Sequence, residues 1–241
     1  MTTRATQARI PLSPLLALLA ALALMLLPAA SAPSPRSNAA FQFVSDKGKF
    51  RVLINGQQAG EEDFEIRPGG NGWIAHGESE IHAGQSTTRV SGTLELHADG
   101  APARYEWSTE GEKKASATIT FDGPTASIEL RLGAAHPYTQ QLKFDSQQIV
   151  VLDNNLYDQY TVLARLYDWK KKGEQSFNVL VPQELTPGKI TVDSLGPKEI
   201  DGKRLEELRG KTEDLEVDLY FDGPHLERIE VPDSNAEIIR E

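Results

Sequence analysis

The chain has 241 residues, with 35 acidic against 25 basic side chains, a formal net charge of −10, and no cysteine. The missing cysteines exclude disulfides, a thiolate nucleophile, a zinc–thiolate centre and the acylated cysteine that anchors a bacterial lipoprotein. The acidic excess repels phosphate backbones, so nucleic acid is not an expected partner, and the even spread of the acids suits simple solubility.

The first element is an apolar run, Leu15 to Leu27, preceded by Arg4 and Arg9 and followed by Pro28-Ala29-Ala30-Ser31-Ala32. A basic start, a short apolar centre and small residues at the exit make a secretory signal. The run has 13 residues, short of the roughly 20 a membrane-crossing helix needs, so export rather than a permanent anchor is expected. Cleavage after Ser31 leaves Ala29 and Ser31 at the small positions, whereas cleavage after Ala32 would put Pro33 directly behind the cut. Losing residues 1–31 removes two basic residues and no acid, so the charge becomes −12. Residues 32–39 read as a disordered polar leader, and 40–241 as a single β-rich domain, periplasmic or secreted.

A series of alternating segments follows, the period-2 pattern of strands with one apolar face. Lys49–Ile54 leads into Asn55-Gly56, a pair that favours a tight hairpin turn. Glu62–Arg67 places Phe64 and Ile66 on one face. Trp73–His82 separates Trp73, Ala75, Ser79 and Ile81 from His76, Glu78, Glu80 and His82. Thr88–His97, Ala103–Thr109, Ala115–Phe121, Ala126–Leu132 and Tyr138–Phe144 continue the pattern, with Tyr105 and Trp107 inward. Short strands joined by turns make an antiparallel meander, and a single apolar face implies a cover on one side only.

The period then changes. Leu156, Tyr160, Leu163 and Tyr167 recur at helical spacing, which predicts one helix over about 154–171, capped by Asp153, Asn154 or Asn155 and closed at Gly173. Strands resume at Gln175–Val181, Lys189–Asp193, Lys198–Asp201, Asp214–Phe221 and Leu226–Val231. Lys203–Lys211 contains helix formers (RLEEL) among strands and stays open between the two. The charged tail after Pro232 is expected to fray. Phe-Asp-Gly-Pro occurs at 121–124 and at 221–224, read as two similar hairpin turns.

Chemistry-bearing motifs are absent: there is no G-x-S-x-G elbow, no P-loop and no dinucleotide fingerprint. His76, Glu78, Glu80 and His82 share one strand face with successive members about 7 Å apart, too spread for a compact metal site, so they read as a solvated face with cross-strand ion pairs. Glu61-Glu62-Asp63 and Glu206-Glu207 read as surface acids. No catalytic residue, metal or cofactor is expected, and the chain does not read as an enzyme.

Several phrases nevertheless resemble a known family. Asn55-Gly56, Gly60, Glu62, Phe64 and Ile66 open the pattern. Val151-Leu152-Asp153-Asn154-Asn155 and Val181-Pro182-Gln183 stand in its middle. Leu219-Tyr220-Phe221-Asp222, Leu226 and Arg228-Ile229-Glu230-Val231-Pro232 close it, with a Trp usual where Tyr220 stands. Together they are similar to a family of uncharacterised bacterial envelope proteins carrying a domain of unknown function, over residues 41–241. The resemblance implies a fold like that of the lipoprotein carriers LolA and LolB: an unclosed β-barrel, or large curved antiparallel sheet, with one long helix on its concave face. It brings no catalytic residues with it.

The function expected is a soluble exported binding module for a lipid or other apolar ligand. The alternative is an envelope assembly factor that contacts other envelope proteins, and a hydrolase ranks last. An 18-residue helix is only about 27 Å long, less than the apolar face it would have to cover, so Trp73, Tyr105, Trp107, Tyr160 and Leu163 are expected to border a ligand groove.

Overall fold

The computed structural model describes residues 43–111 and 114–241. The expected signal segment and leader lie outside them. From Asp46 the chain forms eight successive antiparallel strands: β1 (Asp46–Ile54), β2 (Gln57–Gly69), β3 (Gly72–Ala83), β4 (Ser86–His97), β5 (Pro102–Glu110), β6 (Ala115–Asp122), β7 (Thr125–Leu132) and β8 (Tyr138–Lys143). A short strand, β9 (Ile149–Val151), and one helix, α1 (Asp158–Leu166), follow. The chain returns through β10 (Gln175–Leu180), β11 (Pro187–Ile200), β12 (Lys203–Lys211), β13 (Glu216–Asp222), β14 (His225–Val231) and β15 (Ala236–Arg240).

All fifteen strands belong to one sheet, in the order β8-β7-β6-β5-β4-β3-β2-β1-β15-β14-β13-β12-β11-β10-β9. Only the β9–β10 pair is parallel. The meander therefore starts at the centre of the sheet, runs to one edge, crosses to the other edge and returns to the centre. There β15 pairs with β1, Phe50 opposite Arg240 and Ile54 opposite Ala236.

This path forces the sheet to curl. Fifteen strands laid flat would span about 65–70 Å. The two edges, β8 and β9, are joined by residues 144–148 alone, a link that reaches about 20 Å at most. Two contacts hold that link to the far wing: Asp145 pairs with Lys189 at 2.8 Å, and Asn178 Nδ2 donates to Ser146 Oγ at 3.0 Å. No ladder joins β8 to β9 among the described residues, so the barrel stays unclosed.

Most of the meander follows the alternation seen in the sequence. The Asn55-Gly56 turn has positive φ at both residues (52° and 73°), as a two-residue hairpin of this kind needs. Three expectations are corrected, and the segment left open is settled. The helix has nine residues, not eighteen: Tyr167 turns extended at its end, and the Trp169 indole donates to Ala164 O at 2.9 Å, taking a terminal carbonyl. Segments 189–193 and 198–201 are one strand, β11, continuous through a bulge where Gly196 adopts φ 86° and Leu195 stands exposed. Residues 203–211 are a strand, because pairing with β11 and β13 overrides local helix preference. The tail does not fray: β15 lies between β1 and β14, and Ile238 is buried. The β9 strand, three apolar residues long, is too short for its period to be read.

The inner face holds the core, including Phe50, Ile66, Leu94, Tyr105, Ile119, Leu163, Leu180, Leu219 and Ile229. The α1 helix lies inside the curl against β3, β9 and β14, and every residue of it except Tyr160 is buried.

Because β15 bridges the two wings, Ile238→Ala is expected to lower stability by about 2–5 kcal/mol, the usual cost of emptying a buried aliphatic site. Urea denaturation measures it. A loss below about 0.5 kcal/mol would mean that β15 is dispensable.

Candidate functional site

Inward-pointing residues of β2 to β8 align in rows across the strands. One row runs Phe64, Gly77, Gly92, Trp107, Ala117, Leu130, Tyr138. Its neighbour runs Glu62, Ser79, Val90, Thr109, Ala115, Leu132. The two glycines make a notch. A Cβ at Gly77 would stand 2.8 Å from Glu62 Oε1 and 3.0 Å from Asp158 Oδ1; one at Gly92 would run into Leu156 and stand 2.7 Å from the Tyr105 hydroxyl. Only glycine lets the chain entering α1 come this close to the sheet.

Glu62 occupies the notch and acts as the helix cap. Its carboxylate accepts the Tyr157 N–H at 2.7 Å and the Asp158 N–H at 3.2 Å. No side chain within the helix segment does this; the expected cap Asp153 instead accepts the Asn155 N–H at 3.1 Å, the Tyr105 hydroxyl at 3.0 Å and the Gln183 amide at 2.8 Å. Free N–H groups and the positive end of the dipole favour an anion here. The surroundings oppose charge: burial, then the neighbouring Asp158, raise the Glu62 carboxyl well above its ordinary range. Burial likewise pushes Asp158 up to about 6, despite a hydrogen bond with Glu62 and the proximity of His76. Two carboxyls in contact in a dry site hold a proton between them.

The far end of α1 is held by a second charged group. Arg165 donates to Val44 O at 2.7 Å, and its Nη2 lies 3.7 Å from Asp46. Asp46 also accepts from Arg240 at 2.7 Å and contacts His225 at 3.1 Å. Burial alone would raise Asp46, but these partners hold it below the usual carboxylate range.

The five residues expected to border a groove fall into three groups. Tyr105 and Leu163 are fully enclosed, the first bonded to Asp153, the second under the sheet. Trp73 and Tyr160 are half-buried on the edge of the core, and Trp73 stacks on Phe43 at 5.4 Å. Trp107 is 9% exposed and begins an apolar strip toward the β8 edge, beyond β3, where α1 packs on this wing. Along its row Leu130 is half-buried and Tyr138 is 52% exposed, while Leu132 in the next row is 58% exposed. The structure thus brings Trp107 together with Ala115, Ala117, Leu130, Leu132 and Tyr138. The outer face of the same wing is polar: a depression of about 460 Å³ there is lined by Thr118, Thr120, Ser127 and Thr139 among others.

Glu62, expected among surface acids, is fully buried. The signal lay in parity, since Glu62 is two residues from Phe64 and four from Ile66. The His76 and His82 face is held by cross-strand contacts: His76 to Thr93 at 2.9 Å, His82 to Thr87 at 3.1 Å, and Glu80 to Arg89 at 2.7 Å. Among the described residues no group of three or more His, Asp or Glu is arranged to hold a metal ion.

No protein-family model and no curated protein matches the chain. Among solved structures it is similar to a beta-barrel-like protein of domain of unknown function DUF1849 from Brucella abortus, with a TM-score of 0.57, 8% sequence identity, and coverage of 83% of this chain and 95% of that one. At that identity the likeness shows the unclosed, barrel-like fold and nothing of individual residues.

The carboxyl pair gives stability a defined pH dependence. Asp158 ionises near 3.8 when unfolded and near 6 when folded. Between these values the unfolded chain has lost a proton that the native one keeps. The contribution therefore falls as pH rises from about 4 to 6 and stays lost above. Asp158→Asn should remove that fall, gaining on the order of 2 kcal/mol over the native protein at pH 7.5 relative to pH 4. Urea denaturation at the two pH values checks this; parallel losses in both proteins would contradict it.

Proposed function

We propose that the protein is an exported binding module of the bacterial envelope. It holds an apolar or amphipathic molecule against the strip running from Trp107 to Tyr138. The observation that carries this reading is the strip itself. Four in-register inward positions, Trp107, Ala117, Leu130 and Tyr138, go from buried to half-exposed toward the β8 edge, beyond β3, where the helix packs. The apolar N-terminal run supports export, and the resemblance to envelope carriers supports a binding role at the level of fold analogy. An inserted chain gains about 0.8 kcal/mol per buried methylene, enough for useful affinity over a few carbons.

A second reading is a protein-interaction factor, favoured by one feature. Among the described residues β8 has β7 as its sole ladder partner, and an open strand edge can add an extended segment of another protein.

The two readings separate in one experiment. The neutral dye N-phenyl-1-naphthylamine should bind saturably, with a Kd below about 100 µM, and change the emission of Trp107. Ala115→Trp, which fills the strip, should weaken binding by about tenfold or more while leaving stability nearly unchanged. No saturable binding would remove the ligand reading and leave the β8 edge as the functional surface.

A further inference from the structure

At the deep end of the strip the protein leaves polar atoms without partners. Ser79 Oγ and the Trp107 indole nitrogen have no hydrogen-bond partner, and Asp158 Oδ1 has none beyond the proton shared with Glu62; their residues are only 4%, 9% and 1% exposed. Buried polar atoms are normally paired, and each exception asks for an occupant. These three belong together. Ser79 stands directly across the ladder from Glu62, Asp158 Oδ1 comes to 3.0 Å from the Cβ position of Gly77, and Trp107 lies in the row of Gly77 and Gly92.

The charge of the site is one-sided. Three carboxyls, Glu62, Asp158 and Asp153, meet here, and no Lys or Arg is among the leading influences on any of them. The ionisable neighbours are His76 from β3, Tyr105 from β5, and Tyr157 at the start of α1. The arrangement at the other end of α1 is the contrast, since there Asp46 is met by Arg165, Arg240 and His225. A buried negative charge without a cation is costly, and a ligand can supply one.

We propose that this acidic floor is a head-group site and that the ligand of the strip is an amphipathic cation: a primary ammonium on an apolar chain. The ammonium donates to Asp158 Oδ1 and Ser79 Oγ, and an oxygen next to it accepts from the Trp107 N–H. The apolar chain runs outward over Ala117 and Leu130. The floor equally excludes carboxylate-headed lipids, because a further anion is repelled by the charge that the Glu62–Asp158 pair already carries. Above about pH 6, where Asp158 ionises, the floor is negative; below it, the attraction fades.

The inference rests on the strip being a ligand site, and three probes of equal chain length separate the two claims. Octylammonium, octanol and octanoate are each used to displace N-phenyl-1-naphthylamine at pH 7.5. Octylammonium should displace it at concentrations about tenfold lower than octanol, with octanoate weakest, and the preference should shrink at pH 5. In Asp158→Asn the preference of octylammonium over octanol should vanish, and Glu62→Gln should act in the same direction if the first variant does not fold. Equal displacement by octylammonium and octanol, or tighter binding of octanoate, would overturn the head-group site and leave the strip standing. Displacement by none of the three would overturn both.

Discussion

The ladder between β1 and β15 joins residues near opposite ends of the described chain, Phe50 to Arg240 and Val52 to Ile238. Strands β2 to β8 form one wing by local hairpins, and β9 to β14 form the other. Without the central ladder each wing would be an open sheet with a bare apolar face. With it, and with five residues tying the outer edges together, the sheet must curl and an inside exists. That interior is what α1, the notch and the strip all share. Among the described residues twelve of the fourteen ladders are local hairpins, so the slow-closing element is the single long-range ladder between β1 and β15, whose loop closure is costly.

Filling the inside is the next constraint. A nine-residue helix is not stable alone, and α1 has no cap within its own segment. Its hold comes from the sheet: Glu62 at the first turn, Arg165 and Asp46 at the last, and the Gly77–Gly92 notch beneath Leu156. Capping with a buried acid next to another buried acid gives away stability above pH 6. A Gln at position 62 could accept an N–H without charge, so stability alone does not account for a carboxylate pair in this place. The proposed head-group site would give that pair a function.

Much of the fold was legible. Alternation in 73–82, 88–97 and 115–132 marks strands, and the change to helical spacing at Leu156 marks the crossover between wings. What local pattern could not carry is pairing at a distance. The RLEEL segment is a strand because β11 and β13 flank it, and the tail is ordered because β1 waits for it. The site was half legible. Trp107 and Tyr105 were placed inward by parity and Leu163 by its helical spacing, but which inward residues the helix would enclose depends on its length and seat. Glu62 read as one of three consecutive acids, and only its spacing from Phe64 and Ile66 placed it inside. The cradle glycines stood in plain strands, where a glycine signals close approach without naming what approaches.

Native mass spectrometry of protein purified without detergent from the cells that make it tests the central claim most directly. The account predicts a mass excess from an amphipathic, amine-bearing molecule that stays bound in the gas phase and is lost on acid unfolding or in the strip variant Ala115→Trp. A spectrum showing bare polypeptide alone, from cells in which the protein is abundant and folded, would contradict it.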